Sequence, residues 1–402
     1  MSGQGPPQGR ESARRRAAIV VGASKIASRE RLFLATADLL AERGWQADIL
    51  TARPIPALRD AVRAPVELID IGYFGPFRLP KLLPHLARLY ASTPALARYL
   101  KSARPDVLMG TSIPPNMMAL GAARMAGTGA PVVIRQSNVV PVASDPASAH
   151  IRRRPRDRLM PKLYPEAAAV IAVSGGVAEN LRLSGWIAPE RIHWIPNGVE
   201  LAAIAEKAQA PTPHRWLEET DGPPVIVAVG RLIPKKDYPT LFAAFAKLTA
   251  ERPARLIVLG EGRERGRLTA LIRKLGLGDS IDLAGHQTNP FAYLARASLF
   301  VLSSEFEGMP SVVIEALACG CPAVSTDCPS GPAEILGDGD YGRLTPIGDA
   351  DALATAMAAS LAAPRDADRL KARAAEFSLQ RAAERYADLL TRAADRAPAP
   401  AG

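Results

Sequence analysis

Two carboxylates, Glu307 and Glu315, stand in the stretch LFVLSSEFEGMPSVVIEALACGCPAVSTDCPSGPAEIL, residues 299–336, with seven residues between them. Glu307 lies just before a run whose apolar residues Val312, Val313, Ile314 and Leu317 keep helical spacing, and Glu315 lies inside it. Pro310 sits where a first helical residue would, its ring preset for a helix start, and Gly320 is the stop. A carboxylate inside such a run is costly to bury unless it is hydrogen-bonded. The N–H groups of Met309, Ser311 and Val312, on either side of Pro310, lead into the helix, where the dipole favours an anion. A phosphate at the helix tip, a hydroxyl-rich ring at Glu315 and chemistry near Glu307 account for these features. So do an acidic residue favouring the dipole and a solvated second-turn glutamate. Arg231, Lys235 and Lys236 form a second group, in the loop after an apolar run at 225–229. An arginine and a lysine at a strand's carboxyl end suit a diphosphate, one as a planar fork and the other as a point charge. Lys235 is the weaker candidate; alone, the group equally describes a solvated basic loop.

The elements around these residues alternate. Residues 299–302 are an apolar run of strand length, SSEFEGM is a polar loop, a helix follows, and CPAVST leads to a second polar loop, DCPSGP. That order predicts a parallel α/β unit whose loops, at the carboxyl ends of the strands, are where such sheets bind ligands. Further strands are expected at 17–21, 47–51, 105–110, 131–135, 169–173, 192–195, 225–229, 256–259 and 281–284. A loop, ASKIASRE, precedes a first helix reaching about Arg43 with Leu32, Leu34, Leu39 and Leu40 inward. Ser174 reads as a helix N-cap. Residues 201–222, with Pro211, Pro213 and Gly222, read as a linker. Gly260 and Gly262 permit close backbone approach at another strand end.

Length and charge set the frame. The 402 residues are enough for two or three domains. The net charge of +10 is uneven: residues 1–200 hold 27 Lys+Arg against 15 Asp+Glu, and residues 201–402 hold 23 against 25. Excess base in one half points to an acidic partner, and anionic lipid headgroups are the natural candidate. No aromatic-interleaved basic motif marks nucleic acid as that partner. An arginine-rich but ordinary surface gives the same count. Residues 1–16 read as a disordered basic tail, and 72–100 as one or two amphipathic helices, at a membrane interface or packed on the sheet. Five arginines between Arg152 and Arg158 make a solvated run or a hold for a phosphate-bearing acceptor. The three cysteines, Cys319, Cys321 and Cys328, give no disulfide framework, so a reducing cytoplasm is expected. No run of 18 apolar residues suggests a membrane span.

Glu307 and Glu315 take the form E-G-x-P-x4-E, followed in order by EALACGCPAVSTD and SGPAEIL. Arg231 and Lys236 take the form R-x4-K, and PNGVE stands at 196–200. Together these resemble the signature of the family 4 retaining glycosyltransferases. The resemblance is strong from about Ser174 to Leu336 and weak before Gly110. It implies the α/β GT-B fold: two Rossmann-like domains facing across a cleft, with a C-terminal helix crossing back. The expected parts are the tail at 1–16, an acceptor domain at 17–198, a nucleotide-sugar domain at 199–375, and a closing helix and frayed tail at 376–402.

By the same resemblance, Arg231 and Lys236 neutralise the leaving diphosphate, Glu307 lies at the transferred sugar and Glu315 binds the ribose. Gly308, Met309, Pro310, Ser311, Val312, Gly260, Gly262 and His286 are the remaining donor-side positions. On the acceptor side, relatives often carry a Gly-Gly-x-Glu-Arg loop; here Glu30 and Arg31 match but both glycines are missing. Many relatives also have a histidine after the strand at 131–135, where this chain offers Gln136, Ser137 and Asn138. Ser137 or Asn138 could hydrogen-bond sugar hydroxyls. No Asp-x-Asp pair stands at a strand end, so no metal or other cofactor is expected. The implied partners are a UDP-linked sugar donor and a glycan or lipid-linked acceptor, with transfer in polysaccharide or glycolipid synthesis at the inner face of a membrane. An isomerase resembling nucleotide-sugar 2-epimerases, or a sugar- or nucleotide-binding protein without catalysis, are the other readings.

Overall fold

A computed structural model describes residues 14–22, 28–51, 56–62, 66–71, 91–142, 144–145, 155–211, 214–219 and 221–396. Most of the N-terminal tail, residues 72–90 of the amphipathic stretch with His85, and Arg152, Arg153 and Arg154 lie outside the described residues. The chain divides into two compact units, one of Met1–Arg135, Leu159–Val170 and Ala383–Gly402, the other of Gln136–Arg158 and Ile171–Ala382.

A seven-stranded sheet has the order β3-β2-β1-β4-β5-β6-β7. Its strands are β1 (Arg16–Val21), β2 (Gln46–Thr51), β3 (Glu67–Asp70), β4 (Val107–Gly110), β5 (Val132–Gln136), β6 (Ala169–Ala172) and β7 (Ile192–Trp194). The first five pair in parallel. Near-continuous apolar runs such as Ala17–Val21 and Leu108–Met109 are fully buried, as strands covered on both faces must be. The first helix, α1 (Ser28–Glu42), buries Leu32, Phe33, Leu34, Ala37 and Leu40. Leu39, expected inward, is half-buried, because the helical turn gives that face to Phe33 and Ala37. The interior of this first unit is not wholly apolar. Arg135, 1% exposed, donates from Nε to Tyr386 Oη at 2.8 Å and lies over the Phe33 ring at 5.7 Å. Asp48, fully buried, accepts from Tyr99 Oη and pairs with Arg16.

The second unit contains a six-stranded sheet, order β10-β9-β8-β11-β12-β13, parallel throughout. Its strands are β8 (Val225–Val229), β9 (Arg255–Leu259), β10 (Ile281–Gly285), β11 (Leu299–Leu302), β12 (Ala323–Thr326) and β13 (Arg343–Thr345). In chain order this is 3-2-1-4-5-6, the doubly-wound arrangement, and its order reverses between β8 and β11. Phe242, Phe245, Leu256, Val258, Val301 and Met357 belong to one core cluster on this sheet. Residues 201–222, expected as a linker, instead open with α2 (Leu201–Ala208), whose Ile204 is buried and which packs on the helix Phe291–Arg296. Its apolar residues recur three to four apart, which makes a packed helix of it.

Candidate functional site

The reversal of strand order puts two loops side by side, one after β8 and one after β11, in the place where doubly-wound sheets leave a crevice. The loop after β8 carries Arg231, then a single tight turn, Pro234–Lys236. Asp237 follows with φ 41°, in the left-handed region, and its carboxylate caps α3 (Tyr238–Glu251) by accepting from Thr240 N. That bend turns Lys235 and Lys236 toward the loop after β11. Ser303 Oγ donates to the Lys236 carbonyl at 2.8 Å, and Glu305 N donates to the Lys235 carbonyl at 2.9 Å. Backbone contacts thus fix the two lysines before their ammonium groups meet anything.

What they meet is Glu307, 9% exposed. Lys236 Nζ lies 2.7 Å from Oε1 and Lys235 Nζ 3.3 Å from Oε2. Ser304 Oγ donates to Oε1 at 2.8 Å. Burial pushes the Glu307 carboxyl up, but Lys236, then Lys235, and the hydrogen bonds from Lys236 and Ser304 outweigh it and hold it below the usual carboxylate range. The neighbours of this anion are kept neutral. Burial, then the Glu307 charge, pushes the Tyr238 phenol far up and the Cys328 thiol to about 12. Tyr238 Oη donates instead to the Gly230 carbonyl at 2.9 Å.

The residues after Glu307 are gripped from three sides. Ser330 Oγ donates to the carbonyls of Glu307 (3.0 Å) and Gly308 (2.8 Å). Asn197 Nδ2, in the PNGVE step, donates to the Met309 carbonyl at 3.1 Å. A Cβ at Gly308 would lie 1.8 Å from the Ser137 carbonyl oxygen, so only glycine lets these strands of chain meet. Ser137 and Asn138 are thereby brought against the Glu307 loop. Pro310 is the N-cap residue (φ −74°, ψ 93°), and the helix α4 (Ser311–Ala318) starts one position later than expected. The preset ring serves the entry to the helix, while Ser311 and Val312 supply its leading N–H groups. Glu315, half-buried, stands on the second turn of α4.

Behind the site a second clasp holds Ser330. Its hydroxyl accepts from Ser174 Oγ at 3.1 Å. Glu334, in the short helix after Ser330, accepts from Gly175 N (2.8 Å) and Gly176 N (3.1 Å), the leading N–H groups of the helix Gly175–Ser184. Ser174 caps the same helix, as expected, by accepting from Val177 N at 3.2 Å.

The remaining expected positions have their own surroundings, and one pair, Glu30 and Arg31, lies in a different element than expected. Gly260 and Gly262 are required by the chain's own backbone: a Cβ at Gly260 would lie 1.9 Å from the Gly230 carbonyl oxygen, and one at Gly262 2.2 Å from that of Leu232. Their absent side chains are explained by the packing of one loop on another, with no ligand needed. His286, following β10, is exposed. Arg231 is exposed too and makes no ion pair among the described residues, whereas Lys236 is held on Glu307. Glu30 and Arg31, read in a loop, are helical, in the first turn of α1, and Glu30 is buried. They lie in the first unit, and Glu307 with its partners lies in the second. The reading of residues missed Ser304, Ser330, Asn197 and Glu334, and ranked Lys235 low. Ser304 had a local signal, standing three residues before Glu307. Ser330 and Glu334 had none, because their partners are far away in the chain.

The three cysteines are free and buried. Burial pushes Cys319 and Cys321 up to about 12 as well. Among the described residues no helix is long and apolar enough to cross a membrane.

Residues 30–203 match a family model described as Glycosyltransferase Family 4, and residues 212–377 one described as Glycosyl transferases group 1. Among curated proteins, the chain is 35% identical over 190 residues to the N-acetylgalactosamine-N,N'-diacetylbacillosaminyl-diphospho-undecaprenol 4-alpha-N-acetylgalactosaminyltransferase of Campylobacter jejuni, covering 47% of this chain and 49% of that one. It is 31% identical over 188 residues to the lipopolysaccharide core biosynthesis glycosyltransferase LpsE of Rhizobium meliloti, covering 47% and 52%. The chain spans about half the length of these curated relatives. Among solved structures, a glycosyltransferase from Rickettsia africae ESF-5 superposes with a TM-score of 0.74 at 17% identity, covering 96% of this chain and 100% of that one. The Anabaena HepE protein in complex with UDP and glucose gives 0.71 at 20%, covering 94% and 100%. At such identities the likeness is one of fold. The two matched segments follow one another along most of the chain, each on its own parallel sheet, and the chain belongs to the family 4 glycosyltransferases of GT-B fold.

Proposed function

We propose that this chain transfers a sugar from a UDP-linked donor, with retention of anomeric configuration, to a glycan or lipid-linked acceptor of a surface polysaccharide or glycolipid. The observation that carries the reading is the buried, lysine-held Glu307 at the strand-order reversal, directly before the helix that bears Glu315. A carboxylate kept ionised in a buried site costs free energy that packing alone does not require, and such groups cluster where chemistry is done.

The difficult event is breaking the bond between the anomeric carbon and a diphosphate. Negative charge grows on the leaving oxygens, so preorganised positive charge and N–H groups lower the barrier most. In this reading Arg231, exposed and without an ion-pair partner among the described residues, takes the outer phosphate. Lys236 and the leading N–H groups of α4 take the bridging region. Glu307 faces the sugar and stabilises positive charge developing at its anomeric carbon. Glu315, one helical turn further in, accepts from the ribose hydroxyls. Ser137 and Asn138, seated on Gly308, reach the sugar from the other side. No metal is assigned a role; added chelator leaves the rate unchanged in this account.

The donor class draws on the Anabaena protein's complex with UDP and glucose, and the acceptor class on the Campylobacter relative's diphospho-undecaprenol substrate. The excess base of residues 1–200 fits an acceptor or membrane surface that is anionic.

The test is product analysis. The full chain is incubated with UDP-, GDP- and ADP-linked sugars and polyprenyl-diphosphate-linked acceptors, and the product's anomeric configuration is read by NMR. The account expects one UDP-sugar to be consumed, UDP to be released and the donor's configuration to be kept, all lost in Glu307→Gln. An inverted product overturns the mechanism. A new nucleotide sugar formed without acceptor supports the isomerase instead.

A further inference from the structure

We infer that Lys235 is a positioning residue that keeps Glu307 charged while Lys236 is given over to the donor's diphosphate. This rests on the donor reading above and adds a role to a residue that reading leaves idle. One carboxylate here has two ammonium partners, one on each oxygen: Lys236 on Oε1 and Lys235 on Oε2. A single cation balances a single carboxylate. The other groups facing Glu307 carry no compensating charge, since Ser304 is a neutral donor and Tyr238 and Cys328 are held neutral.

The two lysines are not placed alike. The Lys236 stem runs beside Gly230, at the corner that leads into Arg231: a Cβ on Gly230 would lie 3.0 Å from Lys236 Cε. Lys236 is thus the cation within reach of a phosphate gathered by Arg231. The Lys235 ammonium lies 5.1 Å from the Phe306 ring centroid, on the Glu307 loop itself, and its carbonyl is pinned by Glu305 N. The ring face adds to the attraction that holds it there. When a diphosphate draws Lys236 away, a buried Glu307 with no other counterion would have to take up a proton. Lys235 removes that requirement, so phosphate binding and an ionised Glu307 coexist.

The test compares Lys235→Met, Lys235→Arg and Lys236→Met with the wild-type full chain. Calorimetry reads UDP affinity, steady-state kinetics on the UDP-sugar reads KM and kcat from about pH 4 to pH 9, and carboxyl carbon NMR reads the Glu307 titration with UDP bound, over a range that extends below the usual carboxylate value. For Lys235→Met the expected results are UDP affinity within about threefold of wild type, kcat down by about tenfold or more, and an acid limb of kcat moved up by about one unit. The Glu307 titration should move the same way, and Lys235→Arg should restore both. Lys236→Met should lose UDP affinity instead. A Lys235→Met protein with the wild-type acid limb and titration, or with only KM raised, overturns the inference. A wild-type chain that binds no nucleoside diphosphate overturns the donor reading beneath it, which is a different failure.

Discussion

Gly308→Ala tests the built geometry of the site most sharply. The alanine Cβ would stand 1.8 Å from the Ser137 carbonyl oxygen and 2.9 Å from its carbon. A carbon and an oxygen in contact need about 3.2 Å, so the two loops must part by over 1 Å or tilt. Neither is free to do so: the Gly308 carbonyl is tied to Ser330 and the Met309 carbonyl to Asn197. Overpacking of this kind costs about 1–3 kcal/mol. For a unit of 150–250 residues, each 1 kcal/mol lowers Tm by about 2–4 °C. The expected loss is therefore about 2–12 °C by calorimetry, with weaker donor binding as the Glu307 loop shifts. Gly266→Ala is the control. Gly266 lies in the helix Arg265–Lys274 with nothing within 4 Å of its Cβ position, so alanine there should raise stability by about 0.5–1 kcal/mol. Equal Tm and equal donor affinity in Gly308→Ala and wild type would refute the reasoning, because the close approach would then be absent in solution.

Four further outcomes follow from particular contacts. Glu334→Ala removes an acceptor from two leading helix N–H groups and should cost about 0.5–2 kcal/mol, with Glu334→Gln between it and wild type in urea melts. Tyr386→Phe leaves the buried Arg135 Nε without that acceptor and should cost about 1–3 kcal/mol, read in the same melts. The Glu307 carboxyl is held below its unfolded value of about 4.3, so its contribution is complete above that pH and is lost as pH falls through the lower folded value. The stability gap between wild type and Glu307→Gln should thus be constant above about pH 5 and narrow below about pH 4. Cys319, Cys321 and Cys328, pushed up to about 12 and buried, should react with a thiol reagent at pH 8 only when the unit opens, so modification should follow the unfolding rate.

The alternation of apolar runs with helical segments was legible without coordinates, because strands buried on both faces leave a near-continuous apolar record such as Leu299–Leu302. That Glu307 precedes a helix bearing Glu315, and that Arg231 and Lys236 share the loop after a strand, was legible from local spacing. The position of Lys236 was not. Its spacing suits a phosphate, yet its ammonium rests on Glu307, and only strand order makes those two loops neighbours. The same limit hid Ser330 and Glu334, whose partners are 22 and 158 or more positions away. Gly260 and Gly262 show the same limit. Glycines at a strand end signalled a close backbone approach, but not that the neighbouring loop's carbonyls are what approach them. Residues 201–222 misled through their prolines, which mark the end of a packed helix at Ala208.

The central claim is that the second unit holds a UDP-linked donor between Arg231, Lys236 and Glu315. Thermal unfolding of wild type and Glu315→Ala with UDP, GDP and ADP tests it most directly. At about 100 times its dissociation constant a ligand adds about 2.7 kcal/mol, which corresponds to a rise of about 5–11 °C for a unit of this size. The account predicts that rise with UDP, little with GDP or ADP, and a much smaller UDP effect in Glu315→Ala. No shift with any nucleotide, or the same UDP shift in the variant, would contradict it.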